Sequence, residues 1–300
     1  MIARAHRLDG LEQYSEKAPT YLQKLGALLP QSLSIIYLAM LPISIWRALM
    51  QREINIEFAK RMLIDSIWKE ANIEGISVTY PTTQTVIEGG KISGLRTSDI
   101  VAINNLKHAW AFVLDNLDAD TNLIYLRQIN GIVGANLFTG SGIIRDFNVN
   151  IGGTSWMPEI PSYDSISDSL SSLREIPDPT ERALNLFCTL SRMQLFPDGN
   201  KRTAQLAANK ELISTGSGIF SIPVEEKEVF FKLFVAYYET DDKTDLIRFL
   251  SDECVLSPNL PSKEEFADRR RRQDMELGPA PIPSKYFSNP INTAKRRRGR

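Results

Sequence analysis

The run Gln194-Leu195-Phe196-Pro197-Asp198-Gly199-Asn200-Lys201-Arg202-Thr203 holds most of the side chains in this chain that could do chemistry. It separates two apolar, helix-like stretches, residues 183–190 and 204–213. A helix that starts at such a turn offers unpaired N–H groups and the positive end of its dipole, and so receives phosphate. Lys201 and Arg202 add full positive charge at an end where the dipole disfavours it, which suits an anionic partner. Asp198 supplies a hard oxygen where a phosphate-bound Mg²⁺ would sit. Gly199 permits the turn that aims backbone N–H groups outward. The same residues have plainer uses, Asp198 as a helix cap and the basic pair as a solvated face. Taken together they read as a nucleotide phosphate site.

The run resembles the signature of the Fic/Doc (Fido) family, His-x-Phe-x-(Asp/Glu)-Gly-Asn-(Gly/Lys)-Arg-x-x-Arg. Phe196, Asp198, Gly199, Asn200, Lys201 and Arg202 fall in register with it. Gln194 stands where the family has its catalytic His, and Gln205 where it has its second Arg. The resemblance implies a mainly α fold, a Fic-type helical bundle with a small β-hairpin flap over the signature loop. It also implies transfer of AMP from ATP, with Mg²⁺, to a hydroxyl of a target protein. On that basis Asp198 is the metal ligand, and Gly199, Asn200, Lys201, Arg202 and Gln205 bind the nucleotide. Lys201 is the choice of Doc-type phosphotransferases.

Gln194 bears on activity. A His with pKa near 6.5 can take a proton from the target hydroxyl at neutral pH, whereas a Gln amide has no basicity in range. General base catalysis typically contributes about 10²–10⁴-fold, so its loss leaves a slow enzyme at best. The only histidines are His6 and His108, and His108 reads as a half-buried structural residue.

Two further segments complete the resemblance. Regulated family members carry a Glu in a (Ser/Thr)-x-x-x-Glu-(Gly/Asn) motif that pairs with the second Arg. Thr85-Val86-Ile87-Glu88-Gly89 is similar, with the Thr one residue closer, so Glu88 is either an inhibitory carboxylate or a solvated loop residue. The alternation across 147–157, broken by Gly152-Gly153, reads as a β-hairpin. Ile151, Gly152, Gly153 and Thr154 would form the flap, whose edge could pair with an extended target segment. Gly142 to Arg145 fits the family's Gly-x-x-Arg approach to it.

These pieces need a scaffold. The chain has 300 residues, 43% of them hydrophobic and 24% charged, with a net charge of −1. That is an ordinary globular composition, unlike that of a nucleic-acid or membrane-surface binder. Two cysteines make no disulfide framework, Cys188 reads as a core residue, and with no apolar leader the expected compartment is the cytoplasm. The apolar window 33–50 is interrupted by Ser34, Pro42, Ser44 and Arg47. Its clean part is shorter than the roughly 20 residues a bilayer needs, which favours buried helices over a membrane span.

Periodicity predicts helices up to about residue 75, a Thr- and Gly-rich loop over 82–94, and helices over 97–113 and 123–137. Further helices are expected at 165–173, 180–192 and 224–238 and around 246–250, with a short extended segment at 219–223. The expected organisation is an N-terminal helical region (1–80), a Fic/Fido domain (81–258) and a basic, proline-containing tail (259–300). Residues 262–300 carry eleven Lys/Arg and five Asp/Glu. The tail reads as mobile or partner-docked, with at most weak nucleic-acid affinity.

The resulting expectation is an ATP–Mg²⁺-binding relative of protein adenylyltransferases, impaired by Gln194, whose flap docks a protein target. A homo-oligomer is compatible with the sequence. The alternatives are a non-catalytic interaction module, in a toxin–antitoxin or effector setting, or a Doc-like phosphotransferase.

Overall fold

The structure, a computed structural model, describes residues 43–258. The chain divides into two units, residues 1–258 and 259–300, and the described residues all belong to the first. The expectations for His6, for the apolar window before residue 43 and for the basic tail lie outside the described residues.

Ten α-helices make up most of the described residues. In order they are α1 (Ile43–Arg61), α2 (Leu63–Ile73), α3 (Tyr80–Ile87), α4 (Thr97–Asp115) and α5 (Leu123–Val133). Next come α6 (Tyr163–Arg174), α7 (Pro179–Met193) and α8 (Asn200–Thr215). The last two are α9 (Lys227–Thr240), reached through a 3₁₀ turn at Val224–Glu226, and α10 (Thr244–Phe249). The fold is mainly helical, as expected.

Side-chain caps account for four of the helix starts. Thr79 caps α3 by accepting the Thr82 N–H, Asn122 caps α5 through Tyr125, and Asp178 caps α7 through Glu181. Ser162 and Ser165 form a reciprocal capping box on α6. α8 differs: its N-cap is Gly199, which has no side chain to give. This helix is the axis of the domain. It packs against α7, α5, α1 and α4, and twelve of its residues are buried around nearly its whole circumference. Such a helix carries no amphipathic stripe, because no face of it meets water.

The only sheet among the described residues is a two-residue antiparallel pair, β1 (Ile219–Phe220) with β2 (Val255–Leu256). Ile219 lies opposite Leu256 and Phe220 opposite Val255. Asn209 of α8 bonds both the N–H and the C=O of Phe220, at 2.8 Å each, and so ties the pair to the axis. Phe187, Phe220, Phe230 and Phe234 stack into the core beneath.

Three expectations need correcting. The stretch 82–94 is not all loop, since α3 runs through Ile87; its Thr79 cap and early Pro81 start a helix that its Thr content obscures. The helix from 123 ends at Val133 rather than 137, and Asn136 takes a left-handed conformation (φ 59°). The third concerns the hairpin: residues 147–157 form no strands, only an extended segment with a turn at Gly152-Gly153. A lone two-stranded ribbon is marginal in water. Here Arg145 donates to the carbonyls of Phe147 and Glu159, at the two ends of the segment, and closes the loop in place of a ladder.

Candidate functional site

The turn between α7 and α8 is built by its own side chains. Gln194 ends α7 in the left-handed region (φ 48°), which turns the chain inward so that Leu195 and Phe196 are buried. Asn200 holds the loop closed: its Oδ1 accepts the Phe196 N–H (2.9 Å), and its Nδ2 donates to the Phe196 carbonyl (2.8 Å) and to Gln194 Oε1 (2.9 Å). From α5, Asn130 donates to the Asp198 carbonyl (2.9 Å) and accepts from the Gly142 N–H (2.8 Å). Gly199 is required twice over. Its φ is +75°, and a Cβ there would sit 3.1 Å from the Asn130 amide.

A cleft of about 390 Å³ opens above this turn. Its floor includes Gln194, Asp198, Asn200 and Lys201; Phe231, Val235 and Tyr238 of α9 form one wall, and Val149, Ile151 and Gly152 form the cover. Trp156 pins that cover. It stacks on Tyr238, with ring centroids 5.1 Å apart, while the Arg192 guanidinium lies 4.5 Å over its ring. Of the other flap candidates, Gly153 faces Val235 and Thr154 accepts the Trp156 N–H (3.0 Å); neither lines the cleft.

Charge is concentrated at the start of α8. Lys201 Nζ lies 3.1 Å from Glu74 Oε1, and Arg202 Nε lies 3.2 Å from Glu74 Oε2. Arg202 also reaches Asp198 Oδ1 at 3.3 Å. Burial pushes the Glu74 carboxyl up, but Lys201 and Arg202 outweigh it and hold the group below the usual carboxylate range. One turn earlier on α2, Glu70 is buried, and its carboxyl is pushed up to about 8 by burial and by Glu74, with Arg202 opposing.

The sequence-derived residues separate accordingly. Asp198, Asn200, Lys201 and Gln194 line the cleft, while Gly199 and Arg202 lie just behind. Gln205 does not line it. Five residues into α8 it faces the core, 3% exposed, with no partner for its Nε2. Glu88 does not line it either: it caps the end of α3 in solvent and accepts a bond from Gln84 (2.8 Å). The carboxylate that meets the basic pair is Glu74, which residue-by-residue reading misses, although Ile73-Glu74-Gly75 repeats the tripeptide around Glu88. His108 is exposed on α4 and not half-buried, because its neighbours Ala109 and Trp110 take the inward face.

Gln194 is fully engaged. Its Nε2 donates to the Ser191 carbonyl (2.7 Å) and to the Tyr238 hydroxyl (3.1 Å), and its Oε1 accepts from Asn200. The Tyr238 hydroxyl donates to the Ser191 carbonyl at 3.0 Å, and burial raises its pKa, so it offers no base. Among the described residues, no group of three or more His, Cys, Asp or Glu could hold a metal ion by itself, and no helix is long and apolar enough to cross a membrane.

Comparison with known proteins agrees with this geometry. The Fic/DOC family model matches residues 120–212, from just before α5 to within α8. No curated protein matches the chain. Among solved structures, Fic-1 (aa134–508) of C. elegans superposes with a TM-score of 0.58 at 17% identity, covering 88% of this chain and 84% of that one. A Fic domain containing signaling protein from Bacteroides thetaiotaomicron gives 0.55 at 16% identity over 65% and 82%. A Fic family protein from Desulfovibrio desulfuricans gives 0.54 at 16% over 69% and 66%. These likenesses show the fold. The family match spans the turn that forms the cleft floor.

Proposed function

We propose that the cleft binds the phosphates of ATP with Mg²⁺, and that the chain transfers AMP to a protein hydroxyl slowly or not at all. The observation that carries the binding half is the carboxylate of Glu74 seated between Lys201 and Arg202 at an uncapped helix start. A carboxylate there occupies the place an anion would take, so a phosphate has to displace it. Asp198, exposed at the rim, suits Mg²⁺, which is commonly bound through one or two carboxylates plus phosphate oxygens. The ion would neutralise phosphate charge. Arg202 would orient the phosphates, and Lys201 would supply a point charge.

The transfer half rests on Gln194. Both ends of its amide are committed to Ser191, Tyr238 and Asn200, and it holds the turn without taking a proton. The cover of the cleft supports a protein partner: Phe147, Met157 and Ile160 are large apolar side chains left exposed along it. Those same residues favour a second reading, an interaction module in which the phosphate site persists only as structure. A buried Cys188 thiol outside any disulfide fits a reducing compartment such as the cytoplasm.

Calorimetry with ATP–Mg²⁺ tests binding, and silence at millimolar ligand would leave only the interaction module. Incubation of a candidate target with α-labelled ATP tests transfer. Wild type should label it weakly and Gln194→His should raise labelling by about 10²-fold or more, whereas strong labelling by wild type would refute impairment. γ-Labelled ATP separates AMP transfer from Doc-like phosphoryl transfer.

A further inference from the structure

We infer that anion binding in the cleft is coupled to a proton on Glu70, which must be neutral for Lys201 and Arg202 to exchange Glu74 for an anion. The inference rests on the phosphate-site reading above and deepens it. Glu70 lies one helical turn before Glu74 on α2, so both carboxyls project from one face of the helix toward α8. Glu70 is 1% exposed, and neither of its carboxyl oxygens has a hydrogen-bond partner. The Trp110 indole faces it from α4 but falls short of hydrogen-bond geometry. A buried, unpaired carboxylate is expensive, and the protonated form is the one this environment accepts.

The charges that act on it are Glu74 and Arg202. Several other charged side chains on α2 and on the elements packed around it are engaged elsewhere, while Glu225 and Glu226 lie on the 3₁₀ turn that packs on α2. Lys69 pairs with Asp65, Lys60 with Glu57 and Arg96 with Asp99, while Lys107 donates to the Ile87 carbonyl and Lys227 to the Asn72 carbonyl. While Glu70 is neutral, Lys201 and Arg202 face one buried carboxylate, Glu74; Asp198, which also reaches Arg202, is mostly in solvent, where its charge is screened. The inner side of the cluster is then left with an excess positive charge to attract phosphate. Ionised Glu70 cancels the excess beside Arg202, and an incoming polyanion meets a second fixed carboxylate. Burial and Glu74 together push the Glu70 carboxyl up to about 8, which places the transition just above neutrality.

The test is calorimetric titration with ATP–Mg²⁺ from pH 7 to 9 on wild type and on Glu70→Gln, whose amide mimics the neutral acid. Wild-type affinity should fall about tenfold across that range by proton linkage, while the variant, which carries the ligand's own titration and every other group, stays flat. Thermal melts give a readout without nucleotide. A carboxyl whose folded pKa is raised costs stability as pH climbs from the ordinary carboxylate range to about 8. The advantage of Glu70→Gln over wild type should therefore grow over that window and level off above it. If Glu70→Gln does not fold, Glu74→Gln serves, because removing the neighbouring charge should move the wild-type break to lower pH. Parallel binding profiles in both proteins would overturn the coupling and leave the phosphate site standing. No heat at any pH would overturn the phosphate site and the coupling with it, and melts that run parallel would show that Glu70 holds no extra proton.

Discussion

Two helix ends in this molecule carry the same tripeptide. α2 stops at Ile73-Glu74-Gly75 and α3 stops at Ile87-Glu88-Gly89. Their local geometry is nearly the same: the glutamates have φ/ψ of −81°/7° and −80°/−2°, and the glycines have φ of 85° and 80°. Each glutamate N–H returns to the carbonyl four residues back. Yet one carboxylate sits against Lys201 and Arg202 with 16% of its side chain exposed, and the other lies in solvent beside Gln84. The tripeptide encodes a helix stop in both places. What the glutamate does is decided by which helix lies opposite, a tertiary fact the three residues do not contain.

Matched substitutions sharpen this contrast. The largest difference should come from charge reversal. Glu74→Lys sets a third cation beside Lys201 and Arg202 in a mostly buried cluster, at a cost of about 3 kcal/mol. At roughly 2–4 °C per kcal/mol, that lowers the thermal midpoint by about 6–12 °C. Glu88→Lys should move it by less than about 2 °C. Equal losses in the two melts would mean that the contrast is not real.

A smaller effect, of opposite sign, is expected for ligand affinity. Glu74→Gln removes the buried carboxylate that holds both members of the basic pair, so ATP–Mg²⁺ should bind about tenfold tighter, roughly 1.4 kcal/mol. Glu88→Gln should leave the dissociation constant within about twofold, since that side chain touches neither member of the basic pair. Calorimetry on both variants decides the point. The smallest difference should lie between the glycines. Gly75→Ala and Gly89→Ala each force an L-residue into the left-handed region with open space around it, so each should cost about 1 kcal/mol. If denaturant titrations give clearly unequal costs, the two ends differ locally after all.

The same contrast explains how much can be read from sequence. The turn 194–203 is legible because its parts are contiguous: Asn200 bonds residues four and six positions back, and Gly199 caps the helix that starts next. The helices are legible from apolar spacing, with boundaries off by a few residues where a cap or 3₁₀ turn intervenes. Glu74 stays hidden because its partners lie more than a hundred residues downstream, while Glu88 sits in a more motif-like setting. Gln205 is misplaced by register. Matching a signature position assigns a residue to a helix, but the face it occupies depends on what packs there, and around α8 nearly everything does. The hairpin fails for another reason. Alternation describes which side chains face inward, and an extended loop alternates as well as a strand does.

Arg145 closes that loop through main-chain carbonyls alone, those of Phe147, Glu159, Met193 and Gln194. A fastener that grips only backbone is indifferent to the side chains between its two points of attachment. Apart from Trp156, which is pinned to Tyr238 and Arg192, the side chains of the cover from 148 to 158 can thus be rewritten without redesigning the floor beneath. What must be kept besides that one ring is the span between the two carbonyls and one buried guanidinium, 2% exposed, that holds them.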